Sequence, residues 1–255
     1  IAVKKIRTRQ GDFPYVSAQA YRYWLRTTLE QRDADWKAAP IFRETKIAYT
    51  DANPQVYWDD DLLGYMRAQG KTSDAKKSRA DSDQHKNATP TTSELTRVSP
   101  FRVGTLVSIA PVRVVDDFGT MSRHDGDPVP HEHQFYRAYL KGLTSLNLSL
   151  AGTFFRGGRV GYKNLDDHRE QAAKDANLAQ CKVHGQPGYR LPHTERAKRC
   201  ASLIRATASI EGGAKLSLHY TDVNPAIWVA AVTRGGNNIL ARVVQANEDG
   251  LPIFH

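Results

Sequence analysis

A long polar segment limits what this chain of 255 residues can fold into. Residues 43–98 carry nine basic and nine acidic side chains, and the stretch 68–94 is loop-like throughout. A connection of that length is too long for a simple loop inside a compact domain. The segment is therefore predicted to be an insertion, with the core built from the sequence on either side of it.

The sequence around this insertion predicts an α+β core. Ile1, Val3 and Ile6 fit the end of a strand, which residues upstream of Ile1 would complete, and residues 11–14 fit a loop. Ser17 is a suitable N-cap for an amphipathic helix over 18–31. A further strand is predicted at 103–110, and one long strand or two within 135–155, where Leu146, Leu148 and Leu150 alternate with polar residues.

A second helix is predicted at 193–209, ended by Gly212 and Gly213, with strands at 215–220 and 226–233 after it. The residues expected on its buried face are Ala197, Cys200, Leu203, Ile204 and Ala208. Without the insertions the order is strand, helix, strand, strand, helix, strand. This is the ferredoxin-like order, which RNA-recognition domains share with many unrelated proteins.

The positive charge is concentrated in two segments. The net charge is +9. Residues 1–10 contain four bases and no acid, and residues 151–210 contain eleven bases and five acids. A clustered excess of this kind indicates a polyanionic partner, most simply a nucleic acid.

Composition and motifs argue against several other classes. No run approaches the ~18 apolar residues of a membrane span. Cys181 and Cys200 are too few for a disulfide framework or a zinc site, which fits a reducing cytoplasm. His124, His131 and His133 lie in a loop rich in aspartate, but nothing fixes a converging set of metal ligands. With no hydrolase or metalloprotease motif present, we expect no catalytic residues, metal or cofactor.

Three stretches have the residue types that bind phosphates. Lys4, Lys5, Arg7 and Arg9 are expected at a strand-to-helix junction, where backbone N–H groups also favour anions. The stretch "RGGRVGYK" combines flexible glycines with cations, and "IEGGAKLSLHY" combines two glycines with a lysine. The full set of candidate RNA-binding residues is Lys4, Lys5, Arg7, Arg9, Gln19, Arg22, Arg26, Phe101, Arg102, His131, His133, Phe155, Arg156, Arg159, Lys163, Gly212, Gly213 and Lys215.

Several motifs together resemble one family. They are "KKIRT" followed by "DFPYVSAQAYRYWLRTTL", then "VSPFRVGTLVSIAP", "EHQFYRAYLKGLTSLNL" and "GGAKLSLHYTDVNPAIWVAAVTRGGNN". In this order they are similar to the DevR-type autoregulator family of CRISPR-associated proteins, the CRISPR RNA-binding backbone subunits of type I (subtype I-B) Cascade complexes. The resemblance covers about 1–30 and 98–240.

The resemblance implies an RNA-recognition-type palm with a long fingers insertion and a thumb hairpin. The palm would comprise 1–42, 98–151 and 191–255 with a web loop at 111–135, the fingers 43–97 and the thumb 152–190. It also implies a cytoplasmic, non-enzymatic subunit that stacks in several copies along the guide. Each thumb would wedge into the CRISPR RNA, and the exposed guide bases would pair with target DNA. The implied partners are CRISPR RNA, target DNA, copies of the chain and other Cascade subunits.

Two alternatives remain open at this stage. Backbone subunits of type III complexes cleave target RNA with a metal ion and an aspartate near the first helix, and Asp12 has roughly that position. A stand-alone RNA-binding regulator is the other alternative.

Overall fold

The computed structural model of the protein describes residues 2–43, 47–68 and 88–254. Most of the stretch 68–94 that the sequence marks as loop-like lies outside these residues. The described part contains helices and mostly antiparallel sheets, which confirms the α+β class.

The strands of the first half are β1 (Lys5–Thr8), β2 (Gly11–Val16), β3 (Ile41–Arg43), β4 (Ala48–Thr50), β5 (Tyr65–Arg67), β6 (Leu95–Arg97), β7 (Phe101–Val103), β8 (Leu106–Ser108), β9 (Val115–Met121) and β10 (Val129–Phe135). The later strands are β11 (Leu140–Lys141), β12 (Thr144–Leu146), β13 (Thr153–Phe155), β14 (Tyr162–Lys163), β15 (Ala179–Val183), β16 (Gln186–Arg190), β17 (Val244–Ala246) and β18 (Pro252–Phe254). The helices are α1 (Ala18–Arg32), α2 (Trp58–Leu63), α3 (Asp167–Asp175), α4 (His193–Ala208) and α5 (Leu216–His219), and a 3-10 turn covers Ile239–Arg242.

The chain divides into two compact units. Unit 1 comprises Ile1–Tyr23, Val103–Thr144 and Ala226–His255, and unit 2 comprises Trp24–Arg102 and Ser145–Pro225. The described residues of the expected fingers, 43–97, and the whole of the expected thumb, 152–190, therefore both lie in unit 2.

A four-stranded antiparallel sheet organises unit 1, in the order β1-β2-β8-β11. Its first two strands form a hairpin closed at the Thr8–Gly11 pair, so the loop predicted at 11–14 is wrong. Proline is usually excluded from inner strands because it lacks an N–H group. Pro14 is tolerated in β2 because the pairing of β2 with β8 involves Tyr15 and Val16 instead.

The 111–135 loop region contains a second hairpin. Strands β9 and β10 pair over seven residues each, from Val115 opposite Phe135 to Met121 opposite Val129. This hairpin is inserted between β8 and β11, which pair with each other. Along each strand, odd-numbered and even-numbered residues lie on opposite faces.

The strands predicted at 215–220 and 226–233 are wrong. Residues 216–219 form the short helix α5, in which the N–H groups of His219 and Tyr220 donate to the carbonyls of Lys215 and Leu216. Alternating leucines in so short a stretch do not distinguish a strand from a helical turn. Residues 226–233 adopt neither helix nor strand. The ferredoxin-like strand order is therefore not confirmed.

Both long helices form where the sequence predicts them. Ser17 caps α1, its Oγ accepting from the N–H of Ala20 at 3.3 Å, and Leu25 and Leu29 are buried as expected. In α4, Leu203 is buried as predicted, whereas Ile204 is 41% exposed. The buried residues of this helix are Arg199, Ser202, Leu203, Ala206 and Thr207. The prediction of the buried face of α4 was wrong because Arg199 lies at the centre of the face that is buried in the structure.

Buried arginines connect the segments of unit 2. Asp61 in α2 accepts hydrogen bonds from Arg97 Nη2 at 2.5 Å, Arg199 Nη1 at 2.9 Å and the Gly152 N–H at 3.0 Å. Arg169 in α3 donates to the carbonyls of Asp51 and Ala52 at 2.7 and 2.8 Å. The bonds of Gly152 and Arg169 join the expected thumb to the expected fingers, and the bond of Arg199 joins the expected palm to the fingers. Each buried guanidinium requires several acceptors, which these distant segments supply.

Candidate nucleic-acid interface

Strand β1 presents its cations on the surface of unit 1. Lys4, Arg7 and Arg9 are exposed, while Lys5 is half-buried. Lys5 Nζ lies 2.7 Å from Asp12 on the neighbouring strand, and Arg7 Nε lies 3.9 Å from the same carboxylate. Among the described residues, Lys4 and Arg9 have no carboxylate within ion-pair distance. The hairpin therefore carries exposed cations with a single acid between them.

The position of these cations differs from the prediction in one respect. The sequence suggested that they directly precede the first helix, but β2 (Gly11–Val16) separates them from α1. The helix N-terminus is therefore not adjacent in sequence to the basic residues. Strand geometry takes its place: Lys5 and Arg7 alternate along β1, so their side chains point to the same side about 7 Å apart. Arg9 lies in the turn that follows β1.

The hairpin β9–β10 is tied to the start of this basic strand. The Val3 N–H donates to Gln134 Oε1 at 3.0 Å, and Gln134 Nε2 donates to Asp116 at 2.8 Å. Phe118 lies on the same face of the hairpin as Asp116 and Gln134, two residue pairs further out, and is 73% exposed. Unit 1 thus presents an exposed aromatic ring as well as exposed cations, the two residue types that bind single-stranded nucleic acids through stacking and phosphate contacts.

The two candidate histidines lie on the other face of this hairpin. Their rings stack with centroids 6.3 Å apart. His131 is exposed and lies over Gly119, where a Cβ atom would be 2.9 Å from its Nε2. His133 is buried, with Nε2 3.0 Å from Asp117. Only His131 is therefore accessible for contact with a ligand in this conformation.

The aromatic candidates of unit 2 are buried. Phe101 is buried, and Phe155 is 1% exposed. Neighbouring Phe154 packs with Leu165 and Leu191. The sequence suggested that Phe155 supports a wedge between RNA bases, but in this conformation it offers no surface for stacking. The adjacent Arg102 is exposed.

The cations of "RGGRVGYK" are partly engaged within unit 2. Arg156 is held by Asp167 and Glu170 on α3, and the hydrogen bond from Arg156 lowers the pKa of Glu170. Arg159 is exposed and lies over the ring of Tyr162 at 5.6 Å, while Lys163 is half-buried. At the turn between them, Val160 is 74% exposed.

The paired glycines have a packing role. A Cβ atom on Gly212 would lie 2.3 Å from the ring of Trp24, so the ring occupies the space that a ligand would need. Gly213 has φ +125°, and a Cβ there would lie 3.1 Å from Leu216. Lys215 precedes α5 in the left-handed conformation, with φ 51°. The sequence suggested that these glycines let the backbone approach a ligand closely. The close neighbour of Gly212 is instead the ring of Trp24.

The three candidate residues on α1 differ in exposure. Gln19 is exposed, whereas Arg22 and Arg26, which the helical periodicity placed on the exposed face, are half-buried. Gln19 and Arg22 belong to unit 1 together with β1 and the β9–β10 hairpin, and Arg26 belongs to unit 2.

Two features were not identified from the sequence. Phe118 is one, because the stretch "DDFGTM" around it shows no strand alternation. The other is the set of buried arginines Arg97, Arg169 and Arg199. Two of them, Arg169 and Arg199, account for part of the basic excess of 151–210 without contributing to the surface. Because arginine is usually exposed, a sequence pattern predicts it at the surface. The burial of these three arginines can be recognised only from the residues that they contact.

Within the described ranges, no group of three or more histidine, cysteine, aspartate or glutamate side chains is placed to hold a metal ion. Asp12, the candidate nuclease residue, is engaged with Lys5. The same ranges contain no helix with the length and apolar character needed to cross a membrane.

Comparison with known proteins gives limited information. No protein-family model matches the chain, and no curated protein matches it. Among solved structures, it is similar to a chain described as "CRISPR RNA-guided surveillance complex, pre-nicking", with a TM-score of 0.39 and 12% identity over 85% of this chain and 68% of that chain. A TM-score below 0.5 does not establish a shared fold, so every step below rests on the residues of this chain.

Proposed function

We propose that this chain is a CRISPR RNA-binding backbone subunit of a type I Cascade complex. The observation that carries the proposal is the set of exposed cations on the β1–β2 hairpin, in the unit that also contains the exposed Phe118 of the β9–β10 hairpin. Cations spaced along a strand suit consecutive phosphates, and an aromatic ring suits an unpaired base. The motifs that resemble the DevR-type autoregulator family supply the identity of the RNA.

In this proposal the protein is a scaffold and performs no chemistry. Contacts to the phosphate backbone carry no sequence information, so several copies can line one guide whatever its sequence. Guide bases left facing outward pair with target DNA, and base pairing supplies the specificity. Other Cascade subunits complete the complex.

The direct test is to purify the chain from its host and ask whether RNA of uniform length accompanies it.

The nuclease alternative has its own test. A type III-like subunit would cut RNA complementary to the guide in the presence of a divalent ion, and Asp12→Ala would abolish the cut. We expect no cleavage by either protein, because the Asp12 carboxylate is ion-paired with Lys5. Cleavage that depends on Asp12 would replace the scaffold proposal.

The basic strand gives the first prediction. Replacing both Arg7 and Arg9 with alanine should flatten the slope of log affinity against log salt by about 1.4, since each phosphate neutralised on a single strand contributes about 0.7. The loss should be equal for all RNA sequences, because phosphate contacts do not read bases. The slope is measured by filter binding of short RNAs at salt concentrations from about 50 to about 300 mM.

A matched control is the double replacement of Lys37 and Lys198, two exposed lysines of unit 2, with alanine. It removes the same charge and should leave the slope nearly unchanged. If both double variants flatten the slope equally, net charge alone accounts for RNA binding, and the proposal that Arg7 and Arg9 bind phosphates is wrong.

We further propose that the β9–β10 hairpin, rather than 152–190, is the segment that separates guide bases. Residues 152–190 hold buried bonds to the rest of unit 2, whereas the hairpin carries exposed apolar side chains at Phe118, Met121 and Val129. Apolar side chains inserted between bases must offset an unstacking cost of a few kcal/mol per step. An exposed side chain is available for that, and a buried one is not.

The second prediction compares two exposed side chains. Phe118→Ala should weaken RNA binding by about 1–3 kcal/mol per copy, the usual contribution of one stacked base. It should also remove the regular pattern of reactive bases when the assembled RNA is probed chemically. Val160→Ala is the matched control, because Val160 is exposed to the same degree (74% against 73%) at the turn of "RGGRVGYK". If Val160→Ala weakened RNA binding and removed the pattern while Phe118→Ala did not, residues 152–190 would be the segment that separates the guide bases.

A further inference from the structure

A cleft opens in unit 1 where β8 and the segment that leads into β11 move apart. It encloses about 340 Å³ and is lined by residues 109–112, 137–139 and 249–251, all of which belong to unit 1. The third wall is the turn between β17 and β18, where a Cβ atom on Gly250 would lie 3.1 Å from Ala110. Small-molecule sites usually enclose about 300–1,000 Å³, so the cleft has room for one small ligand and not for a longer chain segment.

The backbone leaves one donor and one acceptor unpaired at this cleft. Strands β8 and β11 pair antiparallel, and just beyond them the Ile109 N–H donates to the Tyr139 carbonyl at 3.0 Å. A regular antiparallel ladder would add the return bond from the Tyr139 N–H to the Ile109 carbonyl. That bond is not formed, and neither group has another hydrogen bond within the described part of the chain. Adjacent donor and acceptor groups of this kind match the hydrogen-bonding edge of a nucleobase.

Two side chains of the second wall suit the other parts of a nucleotide. Arg137 is exposed and, among the described residues, has no carboxylate within ion-pair distance. An arginine without an acidic partner is a suitable donor to a phosphate group. Tyr139 is 51% exposed, and an exposed aromatic ring is a stacking surface for a base. Both residues line the same small cleft, so a single ligand is able to contact both.

Asp249 on the third wall distinguishes between ligands. Its side chain is exposed and lines the cleft. An ionised carboxylate only accepts hydrogen bonds, so it repels a phosphate group and binds a hydroxyl or amino group. The sugar of RNA carries a 2′-hydroxyl that DNA lacks, and this hydroxyl is a donor. An acceptor at this position therefore favours a ribonucleotide over a deoxyribonucleotide.

We propose that the cleft binds one ribonucleotide, with its base against Tyr139 and the adjacent backbone groups, its phosphate on Arg137 and a sugar hydroxyl on Asp249. The nucleotide is either free in solution or one residue of a bound RNA, and the recognition chemistry is the same for both sources. Only the second source rests on the proposed function.

The position of the cleft supports the second source. Its first wall adjoins the β1–β2 hairpin, which carries the exposed cations. A Cβ atom on Gly11 would lie 3.0 Å from Pro111, and the Val112 N–H donates to the Asp12 carbonyl at 2.8 Å. An RNA strand held by these cations therefore passes close to the cleft.

The first experiment measures binding of free mononucleotides to the full chain by isothermal titration calorimetry. The probes are the common ribonucleoside 5′-monophosphates, their deoxyribose counterparts and inorganic phosphate. Arg137→Gln and Tyr139→Leu should each raise the dissociation constant of the ribonucleotide about tenfold, because each removes one principal contact. Asp249→Ala should bring the dissociation constants of ribonucleotide and deoxyribonucleotide within about twofold of each other.

Arg234→Gln is the matched control for Arg137→Gln. Arg234 is an exposed arginine of unit 1 that does not line the cleft, so its replacement should leave nucleotide binding unchanged. Because all the replaced residues are exposed, the variants should melt at the temperature of the wild type.

Crosslinking of short RNA to the chain with ultraviolet light identifies the source. If the nucleotide belongs to bound RNA, mass spectrometry should find a crosslink at Tyr139, which Arg137→Gln weakens and Arg234→Gln does not. If the ligand is free, mononucleotides should bind without such a crosslink. The proposal is overturned if neither measurement responds to Arg137→Gln and Tyr139→Leu, or if Arg234→Gln has the same effect. RNA binding in that case would leave the proposed function intact, whereas nucleotide binding without RNA binding would overturn the proposed function alone.

Discussion

Replacing Asp61 with asparagine is expected to lower the free energy of unfolding by about 3–5 kcal/mol, the usual cost of removing one partner from a buried ion pair. Asp61 is fully buried and accepts from Arg97, Arg199 and the Gly152 N–H. Asparagine keeps the shape of the side chain but provides one acceptor oxygen and no charge. Buried Arg97 would then lack its counter-charge, and buried Arg199 would keep only the partly exposed Glu195. Urea unfolding followed by circular dichroism measures the change.

The control for this prediction removes a different partner of the same arginine. Glu195 accepts from Arg199 Nε at 3.0 Å and is about a third exposed. Solvent screens such a pair, so Glu195→Gln should cost only about 0–1 kcal/mol. If the two variants were equally stable, the Asp61 network would not hold α2, β6 and α4 together, and the packing of unit 2 described above would need revision.

Raising the pH from about 5 to 8 is expected to destabilise the protein through Asp60. Burial raises the pKa of this carboxyl group to about 7, and the nearby Asp59 and Asp51 act in the same direction against hydrogen bonds from Thr50 and Asn53. The folded state therefore holds a proton that the unfolded chain releases near pH 4. Stability is greatest below the unfolded pKa and falls by about 1.4 kcal/mol per pH unit until the folded pKa is reached.

Asp60→Asn separates this effect from other titrating groups. The introduced amide is neutral at every pH, as the protonated acid is, and its oxygen can still accept one of the two hydrogen bonds that Thr50 Oγ1 and the Asn53 N–H donate to Asp60. The variant should be more stable than the wild type at pH 8, by up to roughly 3–4 kcal/mol, and similar to it at pH 4. Thermal unfolding at several pH values tests this. Asp125→Asn, at an exposed position, should leave the pH dependence unchanged, and an equal change in both variants would contradict the assignment.

The local sequence was sufficient for the elements that depend on short-range interactions. The two long helices form at the predicted positions because their caps and apolar spacing lie within a few residues. The α+β class followed from the same patterns. The basic cluster at Lys4–Arg9 was also predicted correctly as exposed charge, apart from Lys5, because no acid accompanies it in sequence.

Pairing between distant segments was decided by the tertiary structure alone. The β9–β10 hairpin, which carries Phe118, is bonded to the chain just before β1 through Val3 and Gln134, and these two residues are 131 positions apart. The buried face of α4 is centred on Arg199 because Asp61, far away in sequence, neutralises it. Residues 226–233 have the composition of a strand but lack a partner in the described chain. Charge burial and strand pairing both depend on which groups meet, and a sequence pattern carries only the preference of each group on its own.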